Sequence, residues 1–181
     1  LVELNAFHNH FFALNLNGGT VTGIGAGMYN NEYTTFDAVV TVGGSAMSTI
    51  NATGSGVFSL NGSSFNVADV TTGTDLLISG NLIGASLTKT GEGTMTLTGN
   101  NTYSSGTNAN GGVIEASSIA NAGGSGSIGT GYLGIANSGT FRYTGTGTET
   151  TSRALWLDTG SGTKTIEVTS ATGDITFTST T

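Results

Sequence analysis

Four segments of this chain share one pattern, and the pattern leaves little choice of secondary structure. Gly56-Val57-Phe58-Ser59-Leu60-Asn61-Gly62, Gly93-Thr94-Met95-Thr96-Leu97-Thr98-Gly99 and Gly139-Thr140-Phe141-Arg142-Tyr143-Thr144-Gly145 all read glycine, any residue, apolar, polar, apolar, polar, glycine. Gly173-Asp174-Ile175-Thr176-Phe177-Thr178-Ser179 departs only at its last position. Successive side chains on a strand point to opposite faces, so each run sends two apolar residues one way and its polar residues the other. Lys164-Thr165-Ile166-Glu167-Val168-Thr169 alternates in the same way. The expected inward set is therefore Met95, Leu97, Phe141, Tyr143, Ile166, Val168, Ile175 and Phe177. A helical period of 3.6 is missing between the glycines, where β-branched residues suited to strands dominate.

The four patterned runs start at 56, 93, 139 and 173, which are 37, 46 and 34 residues apart. Irregular repeats of this size, each carrying one short strand, describe a solenoid with loops of variable length. The fold class expected is all-β, a parallel β-helix with roughly 20–25 residues per coil. No shift of composition divides residues 1–181, so the chain reads as a single solenoid segment, part of a longer array. Of its 181 residues 31 are glycine and none is proline, which suits corners that need positive φ. With 36% hydrophobic residues set in alternating runs, the chain is too apolar for a disordered segment. Asn and Thr are placed to stack as ladders on neighbouring rungs.

Charge narrows the partners. Four Lys and Arg against eleven Asp and Glu give a net charge of −7. The cations Lys89, Arg142, Arg153 and Lys164 are spread along the chain, which argues against nucleic acid, since phosphate binding needs clustered positive charge. Without cysteine there is no disulfide frame, zinc–thiolate site or thiol nucleophile. No apolar run reaches the ~18–20 residues that span a bilayer as a helix. Leu1–Asn17 lacks the basic start and small-residue cleavage site of a signal peptide.

Gly124-x-Gly126-x-x-Gly129 and Gly129-x-Gly131-x-x-Gly134 spell a dinucleotide fingerprint, with Glu149 twenty residues beyond the second. That fingerprint works only between a strand and a helix N-terminus, and no helix is readable here. His8 and His10 would share one face of a strand, with Glu3 the nearest acid as a third metal ligand. A frayed strand with surface histidines explains the pair more simply. Glycan cleavage needs clustered acids, yet Asp69 and Asp75 are the closest acidic pair. The calcium nonapeptide fails because Ile128 stands where its acid belongs. The glycosylation-type triplets at Asn51, Asn61 and Asn100 are what an Asn-, Ser- and Thr-rich chain spells by chance. No catalytic, cofactor or metal site is assigned.

The most specific stretch is Leu87-Thr88-Lys89-Thr90-Gly91-Glu92-Gly93-Thr94-Met95-Thr96-Leu97-Thr98-Gly99-Asn100-Asn101-Thr102-Tyr103, with Gly106-Thr107 and then Gly111-Gly112-Val113-Ile114. Residues 87–114 closely resemble the autotransporter-associated β-strand repeat, departing at Met95 and Ser105. Gly139–Gly145, Arg153–Leu157 and Thr165–Val168 look like the segment that follows such repeats in large surface proteins. The resemblance implies a passenger-type β-helix at the bacterial cell surface or outside the cell, with no catalytic residue to carry over. The function expected is structural or adhesive. An alternative is a carbohydrate- or host-binding passenger, which outward aromatics such as Trp156 or Tyr103 would favour. A β-helix glycan hydrolase or lyase is the third reading. The partners expected are further copies of the chain stacked end to end into an oligomer or filament, and cell-surface glycans. Strand-like residues at the C-terminal end and the cluster Phe7, Phe11, Phe12, Leu14 and Leu16 suggest the stacking.

Overall fold

The computed structural model describes residues 1–4, 9–25 and 33–179. Among them the chain is all strand and turn, with no helix. The strands are β1 (Val2–Leu4), β2 (Asn9–Leu16), β3 (Thr20–Gly25), β4 (Tyr33–Val42), β5 (Ser48–Gly54), β6 (Val57–Leu60), β7 (Ser63–Val67), β8 (Thr74–Ile78), β9 (Asn81–Gly84) and β10 (Ser86–Thr90). They continue with β11 (Thr94–Leu97), β12 (Gly106–Ala109), β13 (Val113–Ala116), β14 (Tyr132–Ile135), β15 (Thr140–Tyr143), β16 (Thr148–Thr151), β17 (Leu155–Leu157), β18 (Thr165–Val168) and β19 (Asp174–Phe177).

Every strand pairing is parallel, as in a parallel β-helix, and neighbours in a sheet come from successive coils. One ladder runs β1-β3-β5-β8-β11-β13-β15-β18. A second runs β4-β7-β10-β12-β14-β17, with β2 below β4. The long β4 bends from one face to another: Tyr33–Phe36 pair with β6, which carries β9, while Val39–Val42 pair with β7. A short third sheet joins β16 to β19. A coil thus consists of up to three short strands separated by corners.

Register holds along the first ladder apart from one shift against β8 between Thr94 and Met95. Val2, Val21, Ile50, Ile78, Leu97, Ala116, Tyr143 and Val168 form one column of paired residues. The steps between them, by subtraction, are 19, 29, 28, 19, 19, 27 and 25 residues, wider in range than the 20–25 expected. Backbone geometry fixes the strand, whereas surplus length goes into corner loops that do not disturb the pairing. The four glycine-flanked runs do not measure the coil either. They become β6, β11, β15 and β19, of which only β11 and β15 share a ladder, with β13 between them.

The core is the line of inward columns. Met95, Leu97, Phe141 and Tyr143 are buried, as the alternation requires. Ile166 and Val168 stand in the inward columns, paired with Phe141 and Tyr143, yet they are 39% and 43% exposed. Direction followed from sequence but burial did not, because β18 has no described strand on its far side. Ile175 and Phe177 are half-buried against the core. Phenylalanines cluster where β2, β4, β6 and β7 meet: Phe36 stacks on Phe11 at 6.2 Å and on Phe58 at 5.4 Å, and meets Phe65 edge-on, favoured ring geometries. Of the N-terminal apolar cluster, Leu16 is buried and Phe12 is 75% exposed; Phe7 lies outside the described residues.

Two glycines of the repeat permit a close approach at the corners. Gly91 (φ +77°) and Gly112 (φ +55°) adopt left-handed backbone, and an added Cβ would lie 2.4 Å from the Val67 carbonyl oxygen and 2.5 Å from that of Gly93. Only glycine fits on both counts.

Leu97 sits at the middle of the longest column, fully buried. Leu97→Ala should cost about 2–5 kcal/mol, and Leu97→Asp, which buries an unpaired charge, should abolish cooperative unfolding. Urea titration followed by circular dichroism checks both; an unshifted midpoint for Leu97→Asp would contradict the inward assignment.

Candidate functional site

Two of the four cations lie inside the molecule. Lys89 follows Leu87 on β10 at the alternate position that the pattern reserves for apolar residues, and it is fully buried. Its ammonium donates to the carbonyls of Gly91 at 2.7 Å, Gly111 at 2.9 Å and Thr90 at 3.3 Å, the corner groups of two successive coils. Burial pushes its pKa down to about 8, against the pull of Glu92 and Asp75. Asp75, also fully buried, is the counterpart. It accepts backbone N–H bonds from Thr94 at 2.7 Å, Thr71 at 2.7 Å and Val70 at 2.9 Å. Burial alone would raise its carboxyl, but these donors outweigh burial and hold it below the ordinary value.

Arg153 does for the large loop after β13 what Lys89 does for the repeat corner. It is fully buried, and its guanidinium donates to the carbonyls of Ile119 at 2.6 Å, Ala120 at 3.1 Å, Gly124 at 2.9 Å, Gly129 at 2.5 Å and Gly131. Burial lowers its pKa, with Tyr103 and Glu149 opposing; the group stays charged. Glu149 accepts from the N–H groups of Ile119 at 2.8 Å and Ala120 at 3.1 Å and from the Tyr143 hydroxyl at 3.1 Å. Three of the fingerprint glycines, Gly124, Gly129 and Gly131, therefore hold a cation: their carbonyls turn toward Arg153, whereas a pyrophosphate site would turn N–H groups toward the ligand. Lys89 was legible in the alternation of Ser86–Thr90; nothing in the local pattern marked Arg153.

The remaining candidates are dispersed. His10 Nδ1 lies 2.7 Å from Asp37 Oδ2, and Asn61 donates to the other oxygen at 3.1 Å. These contacts lower the Asp37 carboxyl, the His10 bond foremost. His8 lies outside the described residues, and Glu3 is exposed on β1. Asp69 is exposed whereas Asp75 is buried. Among the described residues no three His, Cys, Asp or Glu side chains come together as metal ligands. Asn101 spans coils instead: its oxygen accepts from Leu82 N–H at 2.8 Å and its amide donates to the Ser127 carbonyl at 2.6 Å. A polar ladder also forms outside, with Thr74 and Thr96 hydroxyls 2.8 Å apart.

The outer surface carries two ordered features. Glu115, Arg142 and Glu167 are in register on three successive rungs, with Arg142 Nε 2.7 Å from Glu167 and Nη1 3.4 Å from Glu115. On the second ladder Tyr132 and Trp156 stack at 4.5 Å with ring planes 11° apart. Trp156 is 59% exposed and borders a cleft of about 510 Å³. Tyr103, expected as an outward aromatic, is instead fully buried, with its hydroxyl 2.5 Å from Thr107. It packs against Gly129, whose missing side chain makes room for the ring.

Stability should follow these interior charges. The Lys89 pKa falls from 10.5 unfolded to about 8 folded, so between those values the unfolded chain holds a proton that the folded chain has released. Stability therefore rises with pH across that window. The stability gap between wild type and Lys89→Met should widen in favour of wild type from pH 7 to pH 10, measured by urea titration; a constant gap would show an unperturbed ammonium. Arg153→Ala strands five carbonyls and should cost about 3 kcal/mol or more.

Residues 87–116 match the model of the passenger-associated-transport-repeat family. The chain is also 36% identical over 166 residues, 90% of its length, to the adhesin BmaC autotransporter of Brucella suis biovar 1 (strain 1330). It spans about 4% of the length of that curated relative. No solved structure matches the chain significantly. The buried Lys89, the Gly91 and Gly112 corners and the inward Met95 and Leu97 all belong to the matched repeat, so residues 87–116 are a passenger-associated-transport-repeat, set within a parallel β-helix that is similar in sequence to a small part of an autotransporter adhesin.

Proposed function

We propose that the chain is a structural and adhesive segment of an extracellular bacterial surface protein, one part of a longer solenoid. The observation that supports this most directly is the unbroken column from Val2 to Val168. Its interior members are sealed, whereas Val2, Ile166 and Val168 are 52%, 39% and 43% exposed, and Leu157 on the last strand of the second ladder is 54% exposed. Inward columns uncovered, and strand edges unpaired, among the described residues fit another rung of the same geometry. That rung comes from a further coil or from the end of a second copy, giving a fibre.

Catalysis forms no part of the reading. Asp37, Asp75, Glu115, Glu149 and Glu167 are each committed to internal hydrogen bonds or to Arg142. Such groups hold the fold and are poorly placed to exchange protons with a substrate. The relative's description as an adhesin supports the same reading.

Antibody raised against Leu1–Thr181 should label intact cells of the source bacterium, and surface proteolysis should remove the label. Labelling only after permeabilisation would overturn the extracellular assignment. In light scattering the isolated chain should gain mass with concentration, and Ile166→Lys with Val168→Lys should hold it monomeric by charging the open rung. A wild-type chain that stays monomeric throughout would leave coil continuation as the use of that edge and discard stacking of copies.

A further inference from the structure

We infer that Asn61 is a self-modification site: in the folded chain it converts spontaneously to aspartate and isoaspartate, with water as the only reactant, and its contact with Asp37 turns from attraction to repulsion. The inference goes beyond the adhesive reading and is independent of it.

The chain contains three Asn-Gly pairs, Asn17-Gly18, Asn61-Gly62 and Asn110-Gly111. In such a pair the glycine nitrogen reaches the asparagine side chain without a Cβ in the way. That nitrogen bonds to Cγ as it loses its proton, and the bond from Cγ to Nδ2 breaks. Ammonia leaves and a cyclic imide remains. Water then opens the ring at either carbonyl, giving aspartate by one route and, with the main chain routed through the β-carbon, isoaspartate by the other. No electrons change hands; water enters and ammonia departs. By sequence the three pairs are equivalent, and the fold makes them unequal.

At Gly18 the nucleophile is engaged, since its N–H donates to Ser48 Oγ at 3.0 Å. Asn17 is also packed against a neighbouring corner, where a Cβ on Gly44 would lie 3.1 Å from Asn17 Cα. Gly111 is buried at φ +136° and its carbonyl holds the Lys89 ammonium at 2.9 Å. Ring closure at either pair therefore waits on local opening. Asn61 and Gly62 make up the corner between β6 and β7, and both are exposed. Gly62 has left-handed backbone at φ +69°, and no described atom lies within 4 Å of where its Cβ would stand. No described group accepts its N–H. Among the described residues the Asn61 side chain has one tether, Nδ2 to Asp37 Oδ1 at 3.1 Å. That bond ends on the leaving nitrogen, so Cγ stays open to attack.

The product matters because of what the amide touches. Asp37 also holds His10 Nδ1 at 2.7 Å, so one carboxylate links β2, β4 and the end of β6. A carboxylate at position 61 replaces a donor to Asp37 with a like charge. Isoaspartate also adds a main-chain atom to a short corner whose flanking strands are both registered on β4. Ageing thus loosens this corner and spares the repeat corner at Gly111.

Cleavage after glutamate separates the three pairs into fragments 4–32, 33–92 and 93–115. The full chain is aged at neutral pH, folded or unfolded in guanidinium, and the fragments are then followed by mass spectrometry, each rate being compared with its own unfolded value. Folding should leave fragment 33–92 within about threefold of that value and slow the other two by about tenfold or more, the rate equivalent of a hydrogen bond that must break first. Isoaspartyl methyltransferase should label fragment 33–92 of the aged folded chain. Asn61→Ser should abolish the change in that fragment, whose other asparagines, Asn51, Asn66 and Asn81, precede Ala52, Val67 and Leu82. Asn61→Asp, which reproduces the aspartyl product, should lower the urea midpoint; an unshifted midpoint overturns the loosening. Protection of Asn61 by folding equal to that of Asn17 and Asn110 overturns the site.

Discussion

Parallel pairing in register between successive coils is the constraint that the rest of the molecule serves. It directs the backbone hydrogen bonds along the axis, so each coil depends on the one below it and the one above. It also makes the interior narrow, one inward side chain deep on each strand, and that space is filled by columns such as Val21-Ile50-Ile78-Leu97. What the ladders cannot supply is satisfaction at the corners, where the chain turns and its carbonyls leave the sheet. Lys89 and Arg153 meet that need from inside, each gathering carbonyls from chain segments far apart in sequence. Asp75 and Glu149 do the converse for stranded N–H groups. Charged side chains here take the place that longer ladders or ordered water occupy in other folds.

Much of this was legible from residues. The alternation in Thr94–Thr98 and Thr140–Thr144 gave strand, face and core together, because a period of two carries all three. The glycine-flanked pattern gave corners, but it could not say which ladder a strand joins, since the length of each loop decides that and loops carry no period. Two further failures have physical causes. Tyr103 reads as an outward aromatic until Gly129, a loop away, provides the room that buries it. Arg153 reads as one of a few scattered cations until the loop between Ser117 and Gly131 folds around it. Both depend on contacts between segments 22 or more residues apart, which single-sequence patterns do not encode.

The division between inside and outside gives the segment its character. Inside, large phenylalanines and buried ions make each coil specific to its neighbours. Outside, polar side chains such as the hydrogen-bonded Thr74 and Thr96 alternate with the core positions, and the Tyr132–Trp156 pair and the acid–arginine–acid row stand out among them. A surface this uniform makes its exceptions conspicuous, and an aromatic pair at a fixed place on a rigid rod is displayed in an orientation set by the fold.

The row Glu115-Arg142-Glu167 also bears on how such an array can change its length. Each acid tolerates its place because the arginine stands between them. If the coil bearing Arg142 were lost, Glu115 and Glu167 would face each other on adjacent rungs, and like charges directly opposed on a sheet are destabilising. Gain or loss of coils by gene rearrangement is thus not neutral here. The charge order along this row therefore favours the succession of rungs seen here over one shortened by that coil.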